Sequence, residues 1–252
     1  MIGARTTFLA SPRNSAVPPL VLGAIAVAIG WGLYATGLGA EILRYKKDIV
    51  YLVRQHLMLV GVSGSLAIVT GVALGVWLSR PSMARYAEGV IQGVNMATSI
   101  PTLGKLALMM SLLGIGALPA IVGLWIATLL PIIRNTYEGI RAVPEHLLDA
   151  ARGMGMGPRA ILMRVELPNA LFVIFAGVRT AMAVNVGTAP IAFLIGGGGL
   201  GELIFTGIDL QEHGMMLAGA IPTALLAVAV DFLFGQAQYW LVPRGVNPLR
   251  NA

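Results

Sequence analysis

The stretch LMLVGVSGSLAIVTGVALGVWLS, residues 57–79, contains no charged side chain and is followed by Arg80-Pro81. It is long enough to cross a membrane as a helix, because about 20 apolar residues span the ~30 Å hydrocarbon core. The whole chain has the same character, since 57% of its 252 residues are hydrophobic and 11% are charged. Soluble domains carry about 25% charged residues. The sequence therefore predicts an all-α, polytopic membrane protein.

Further apolar stretches around this one predict six transmembrane helices in total. They cover residues 17–40, 57–79, 88–115, 117–133, 167–195 and 214–241. The first could also be the apolar part of a cleaved signal peptide, but its length favours a retained helix. Pro101 lies inside the third, where a proline removes a helical hydrogen bond and predicts a kink or a break.

The segments between these helices divide the chain into three regions. Residues 41–56 mix charged with apolar side chains, which predicts an amphipathic segment on the membrane surface. Residues 1–56 then form an N-terminal tail, a helix and this interfacial segment. Residues 57–241 form the helical core and residues 242–252 a C-terminal tail. The core contains a long polar stretch, residues 134–168.

The positions of lysine and arginine predict the orientation, because cytoplasmic loops are enriched in these residues. If the N-terminus is inside, the outside segments hold only the basic residues at positions 44, 46, 47 and 54. The larger basic group then lies inside and comprises Arg5, Arg13, Arg80, Arg85, Arg134, Arg141, Arg152, Arg159, Arg164, Arg244 and Arg250. This asymmetry predicts that both termini and residues 134–168 lie in the cytoplasm.

Within residues 134–168 the sequence predicts two short helices joined by a turn. Pro144 and Glu145 are typical of a first helical turn, where exposed N–H groups favour proline and acidic residues. Glycines at positions 153, 155 and 157 then end this helix, and Pro158 is placed to begin a second helix that closes at Leu167-Pro168. On these residues alone, a functional hairpin and a simple amphipathic connector are equally good interpretations.

This stretch resembles the EAA loop of the permease subunits of bacterial ABC importers. That motif reads Glu-Ala-Ala, three residues, Gly, nine residues and Ile-x-Leu-Pro. Here Asp149-Ala150-Ala151, Gly155 and Val165-Glu166-Leu167-Pro168 have the same spacing, with conservative departures at Asp149 and Val165. Longer stretches resemble one subgroup, the osmoprotectant importers for glycine betaine, carnitine or choline: residues 99–116, 130–140, 149–156, 165–181 and 195–208.

The resemblance covers about residues 50–240. It implies an importer permease core of five transmembrane helices plus one N-terminal helix, in a bacterial inner membrane. Lys105 departs from the subgroup, in which an apolar residue is expected, and the N-terminal helix lies outside the family core. The implied function is ATP-driven uptake of a compatible solute. Uptake of another small solute such as an amino acid, a secondary transporter and a membrane-embedded enzyme are the alternatives.

The same resemblance implies the partners. They are a cytoplasmic ATP-binding subunit, a second permease subunit (an identical or similar chain), an extracytoplasmic substrate-binding protein and membrane lipid. The expected coupling residues are Leu147, Leu148, Asp149, Ala150, Ala151, Arg152, Gly155, Leu167 and Pro168. Among them Gly155 is expected to turn the backbone with a positive φ. Arg152, Arg159 and Arg164 would form a basic rim around the docked surface.

Other kinds of chemistry find no support in the sequence, and no catalytic residue, cofactor or metal ligand is predicted. Gly104-Lys105 is followed by Leu106, so it is not part of a phosphate-binding loop. Residues 196–201 match Gly-x-Gly-x-x-Gly but follow an apolar helix instead of a strand. They are interpreted as a turn at the outer mouth, either for a binding protein or as a plain helix break. The basic residues form no patch typical of nucleic-acid binding.

Polar residues inside the predicted helices are candidates for a translocation path, because burying them in lipid is costly. These candidates are Asn95, Ser99, Thr102, Arg179, Asn185 and Thr188. Hydrogen bonding between helices is the alternative role. For Arg179 the alternatives are a structural pairing, for example with an interior carboxylate, and lining of the path, where it would hold a carboxylate and repel a cation. Asp231 is expected to pair with an arginine or a helix end.

Overall fold

The fold is known from a computed structural model, which describes residues 27, 30–32 and 34–250. The chain divides into two units, residues 1–41 and residues 42–252. In the first unit, the described residues before Thr36 are helical, and the rings of Trp31 and Tyr34 lie 6.2 Å apart. Most of the predicted first transmembrane helix, residues 17–40, lies outside the described residues.

The described residues form helices and no strands. Their bounds are α1 Leu38–Arg44, α2 Lys46–Leu78, α3 Ala84–Ser99, α4 Thr102–Leu113, α5 Ala117–Arg141, α6 Glu145–Gly153, α7 Pro158–Ile195, α8 Gly201–Asp209 and α9 His213–Leu241. Four of them, α2, α5, α7 and α9, are long and apolar enough to cross a membrane. The prediction of an all-α polytopic protein is confirmed.

Helix α2 begins earlier than the sequence predicts. It runs without a break from Lys46, so the predicted start at residue 57 is wrong and most of the predicted interfacial segment, residues 41–56, belongs to this helix. Leu52 is buried with Leu203 of α8 and with Leu200 just before that helix, and Ile49 and Val53 pack against the same cluster. Protein therefore covers part of the apolar surface that suggested a membrane surface, while Leu43 and Val50 stay exposed.

Helices α2, α5 and α7 form the centre of the bundle. Small residues let α2 and α5 approach closely: a Cβ on Gly75 would lie 2.5 Å from the Cβ of Thr136, and one on Gly71 would lie 2.8 Å from Ile132. Close approach through small residues is the usual basis of helix packing in membranes. The buried core around this contact includes Leu59, Ala67, Leu124, Ile132, Ala170, Ile174 and Val178.

The predicted break at Pro101 is confirmed. The segments Pro81–Ser99 and Thr102–Leu113 meet at an angle of 93°, and Ile100 between them has an extended backbone, as expected of a residue before proline. The buried Lys105 side chain donates from Nζ to the carbonyl oxygen of Thr98 at 3.2 Å. Lys105 therefore satisfies a carbonyl at the end of α3, which gives this unexpected residue a structural role.

Two predicted boundaries near the polar stretch are wrong. Helix α5 continues to Arg141, so residues 134–141 belong to it. Helix α7 begins at Pro158 but does not close at Leu167-Pro168, because a π turn over Leu162–Glu166 carries it forward. A π turn widens the helix and accommodates Pro168, which lacks an N–H. The Asn169 side chain donates to the Val165 carbonyl at 2.7 Å there.

The bundle has two distinct ends. At one end, which we call the hairpin end, α6 connects α5 to α7, and Arg80 after α2 pairs with Glu166. At the other, which we call the glycine-turn end, the N–H of Gly199 donates to Gln55 Oε1 at 3.0 Å. The N–H of Gly116 also donates to the Ile195 carbonyl there, at 2.9 Å. Short 3₁₀ turns at Arg244–Val246 and Pro248–Arg250 follow α9.

Candidate functional site

The connection between α5 and α7 folds as a tight hairpin, which we call the α6 hairpin (residues 145–157). Helix α6 ends in a Schellman motif: the N–H of Met156 donates to the Ala151 carbonyl at 3.1 Å and the N–H of Gly155 to the Arg152 carbonyl at 2.9 Å. Gly155 has φ +75°, which confirms the predicted left-handed backbone. A side chain at position 155 would find open space, so the glycine is required by backbone geometry alone.

One of the predicted coupling residues in the α6 hairpin does not lie on its exposed surface. Ala151 is 1% exposed and packs inside its own chain, so it holds the hairpin in place instead of facing a partner. Leu147 and Leu148 are partly exposed, while Ala150 is open to solvent. Met154 is 74% exposed at the tip. An exposed apolar surface on which no other described part of the chain packs is typical of a docking surface.

Charged side chains surround this apolar surface. Arg152 donates to Asp149 across one helical turn at 2.8 Å, with both side chains about 60% exposed. Arg159 and Arg164 are also exposed. Because a solvated pair of this kind contributes about 0–1 kcal/mol to stability, these charges are free to select and orient a partner.

A less exposed ion pair ties α7, the helix that follows the α6 hairpin, to the end of α2. Arg80 Nη2 lies 2.7 Å from Glu166 Oε2, with side chains 25% and 14% exposed. The same guanidinium donates to the Val76 carbonyl and to Ser79 Oγ at the end of α2. A cation at a helix C-terminus is favourable. Arg80 therefore links the end of α2 to the π turn of α7, a link that the sequence analysis missed because the two residues are far apart in sequence.

Leu167 and Pro168, the last two predicted coupling residues, do not lie on the α6 hairpin. They lie within α7, just past the π turn, where Leu167 packs against the main core. Leu167 donates its N–H to the Leu162 carbonyl. These two residues continue the helix that the α6 hairpin would move.

A second polar site lies between α7 and α9. Arg179 donates from Nε and Nη2 to the two carboxylate oxygens of Asp231, at 2.5 and 2.6 Å. Of the pairings considered for Arg179, the structure shows the one with an interior carboxylate, which is Asp231. Two open cavities of about 500 and 600 Å³ adjoin this pair, and both residues line each of them.

The other predicted path residues do not gather at these cavities. Asn185 is fully buried and donates to Ser63 Oγ of α2 at 2.9 Å. The Asn95 carbonyl accepts hydrogen bonds from the Thr98 and Ser99 hydroxyls beside the Pro101 break. Thr188 donates to the Val184 carbonyl at 2.8 Å, and Thr102 begins α4. Of the six candidates, Arg179 is the one that lines the cavities at Asp231.

At the glycine-turn end, the backbone is left-handed at Gly196, Gly198 and Gly199. Tyr45 donates to Glu212 Oε1 at 2.6 Å, and this hydrogen bond raises the pKa of Tyr45. Within the described part of the chain, no group of three or more His, Asp or Glu residues could hold a metal ion.

Comparisons with known proteins all point to transport. Residues 14–245 match the family described as "Binding-protein-dependent transport system inner membrane component". The chain is similar to the osmoprotectant import permease protein OsmY of Salmonella typhimurium, with 47% identity over 83% of this chain and 89% of that one. It is also similar to the choline transport system permease protein OpuBB of Bacillus subtilis, with 39% identity over 81% of this chain and 93% of that one.

Among solved structures, the fold is similar to an inward-facing conformation of the MetNI methionine ABC transporter. The TM-score is 0.70 at 25% identity, and the match covers 81% of this chain and 98% of that one. The similarity therefore includes nearly the whole of the solved chain.

Proposed function

The chain belongs to the family of inner membrane components of binding-protein-dependent transport systems, and we propose that the α6 hairpin receives the movement that drives transport. Helices α7 and α9 line the path of the transported solute. The chain is the permease subunit of an ABC importer, a multi-pass inner-membrane protein that works with an ATP-binding subunit and a substrate-binding protein. Family members are transport components and not themselves enzymes, so ATP is hydrolysed by the other subunit.

The α6 hairpin docks on the ATP-binding subunit in the cytoplasm. The observation that carries this proposal is the Schellman turn at Gly155, which fixes an exposed apolar tip at one end of the bundle. Leu147, Leu148, Ala150 and Met154 supply the apolar contact, and the arginines around them select the partner. A docking surface of this kind needs an apolar centre with a polar rim.

Movement of the docked hairpin reaches the membrane through two connections. One is covalent, because the α6 hairpin leads directly into α7 at Pro158. The other is the Arg80–Glu166 ion pair, which joins the π turn of α7 to the end of α2. Because α2, α5 and α7 pack tightly, they shift as a rigid group, and rigid-body rotation of this kind alternates the exposure of a central path.

The transported solute is a small compatible solute such as glycine betaine, choline or carnitine. Support comes from the relatives, which are named as permeases for osmoprotectants and for choline. The methionine transporter shares the fold at lower identity, so it supports the importer mechanism more than its substrate.

The remaining partners follow from the surfaces of the bundle. A second permease subunit completes the path, because a single small bundle cannot enclose a gated channel for a solute. Large apolar side chains of α9, such as Leu225, Val228 and Leu233, are exposed and suit lipid or that second subunit. The glycine-turn end receives the binding protein on the outer side. Both chain termini lie in the cytoplasm, in line with the basic residues at the hairpin end.

Reconstitution tests this proposal. The chain is co-expressed with its ATP-binding subunit, placed in proteoliposomes and mixed with the substrate-binding protein. ATP hydrolysis and solute uptake are then measured with glycine betaine, choline, carnitine and methionine. Stimulation by at least one of the compatible solutes is expected. Stimulation by methionine alone would contradict the substrate class, and uptake without an ATP-binding subunit would contradict the coupling.

A further inference from the structure

The Arg179–Asp231 pair lies at a depth where exposure to lipid is unfavourable. Arg179 is about 18 Å along the helix from Leu167, and Asp231 is about 15 Å from Leu241 at the end of α9, at ~1.5 Å per residue. Both positions are near the middle of a ~30 Å hydrocarbon layer. Yet the two side chains are 41% and 40% exposed within the chain. Charged groups at this depth face a water-filled cavity or protein.

The ion pair leaves part of its hydrogen-bonding capacity unused. Arg179 donates from Nε and Nη2, and within the described chain its Nη1 has no acceptor. Gly235 opposite has no side chain, and a Cβ there would lie 3.5 Å from Nη1. Each Asp231 oxygen accepts one bond, although a carboxylate oxygen can accept two. A spare donor and spare acceptors therefore lie side by side.

Aromatic side chains complete the surroundings. Phe232 lines one of the two cavities and Phe172 lines the other. Tyr239 also lines the first, but the Arg250 guanidinium already lies over its ring, 5.0 Å from the centroid. Aromatic faces attract quaternary ammonium groups. The volumes, about 500 and 600 Å³, fall in the range typical of small-molecule sites, ~300–1,000 Å³. The site thus offers a positive group and a negative group, with aromatic side chains in the two cavities beside them.

We propose that this pair is a binding site for a zwitterionic solute, whose carboxylate binds Arg179 and whose quaternary ammonium lies against Asp231 and the aromatic rings. This inference rests on the proposed function and narrows its substrate class to zwitterions such as glycine betaine. A zwitterion meets an opposite charge at each of its ends. A simple anion is repelled by Asp231, and a simple cation such as choline is repelled by Arg179.

The experiment uses the wild-type permease assembled with its ATP-binding subunit in lipid nanodiscs, without the substrate-binding protein. Equilibrium binding of radiolabelled glycine betaine and choline is measured for wild type, Arg179→Gln and Asp231→Asn. Arg134→Gln, which removes an exposed arginine of α5, is the matched control. Uptake by the complete wild-type importer is measured in parallel.

The two single variants are expected to change selectivity in opposite directions. Arg179→Gln should weaken glycine betaine binding by about tenfold or more and favour choline, since one charge-assisted hydrogen bond is lost and Asp231 is freed. Asp231→Asn should weaken choline binding more than glycine betaine binding. Arg134→Gln should leave both unchanged. A pair with only a structural role would lower binding of both solutes in the same ratio.

The outcomes separate this inference from the proposed function. If the complete importer transports compatible solutes but the choline-to-betaine ratio is the same in all variants, the inference is overturned and the proposed function stands. If the wild-type importer transports none of them, both fail. Should a single variant not assemble, the doubly neutral Arg179→Gln/Asp231→Asn variant leaves no unpaired charge. It must lose glycine betaine binding, and undiminished binding would overturn the inference.

Discussion

The α6 hairpin and the Arg179–Asp231 site are built in opposite ways. The hairpin is local: its helix, its glycine turn and its exposed tip come from consecutive residues, and its hydrogen bonds join backbone groups a few positions apart. The Arg179–Asp231 site joins two long helices through side chains 52 residues apart. The first is fixed by its own backbone, whereas the second depends on how the helices pack. Substitutions should therefore affect them differently.

The largest effect is expected at the turn of the α6 hairpin. Gly155→Val should abolish solute-stimulated ATP hydrolysis while membrane insertion stays normal, because a β-branched residue at φ +75° strains the backbone by ~1–2 kcal/mol or more and changes the turn. The matched control is Gly157→Val, where the backbone is extended and the space is open. Stimulation that survives Gly155→Val would show that the turn geometry is not needed.

Breaking the Arg179–Asp231 ion pair should have the next largest effect. Asp231→Leu leaves Arg179 without its partner and should destabilise the assembled complex by about 1–3 kcal/mol. The double variant Arg179→Leu/Asp231→Leu should recover most of this loss, since replacing both members of a pair by apolar groups is often close to neutral. Thermal unfolding in detergent measures both.

Transport by the same double variant separates structure from function. If the pair acts only as a helix-to-helix connection, the recovered protein should transport normally. We expect a stable complex that no longer takes up glycine betaine. Normal uptake would reduce the Arg179–Asp231 site to a packing contact.

A smaller effect is expected at the Arg80–Glu166 pair, which joins the end of α2 to the π turn of α7. Glu166→Gln removes the charge that pairs with Arg80 and should lower the free energy of unfolding by about 1–2 kcal/mol, with a several-fold fall in stimulated ATP hydrolysis. The control is Glu138→Gln in the Arg134–Glu138 pair, which is similarly short at 2.8 Å but more than half exposed. Equal losses in both variants would mean that the position of the pair has no importance for coupling.

The smallest change in stability is expected at the surface of the α6 hairpin. Asp149→Asn removes the exposed pair with Arg152 and should alter the free energy of unfolding by less than about 0.5 kcal/mol. A decrease comparable to that of Glu166→Gln, measured by thermal unfolding, would place this pair among the structural contacts.

The same contrast explains what the sequence could predict. The start of α6 after Pro144, its end in the glycine-rich stretch from Gly153 and the break at Pro101 were predicted correctly, because each is decided by the backbone chemistry of neighbouring residues. The long apolar helices were also predicted, since their composition alone requires a membrane or a large core.

The wrong predictions share a different cause. Helix α2 starts at Lys46 because Leu52 and its neighbours pack against α8, and nothing local announces that contact. Helix α7 passes Pro168 because Glu166 of the π turn pairs with Arg80 and Leu167 just after it packs against the core. A carboxylate was one of the partners considered for Arg179. The cavities beside the pair could not be predicted, because they depend on how α7 and α9 pack together.

The central claim, that the α6 hairpin projects into the cytoplasm and docks on an ATP-binding subunit, has a direct test. The natural chain contains no cysteine, so Met154→Cys introduces a single thiol at the exposed tip. Labelling with a membrane-impermeant maleimide is compared in right-side-out and inside-out vesicles, with and without the ATP-binding subunit. The account predicts labelling only in inside-out vesicles and strong protection by the subunit. Labelling from the outer side, or labelling that the subunit does not reduce, would contradict it.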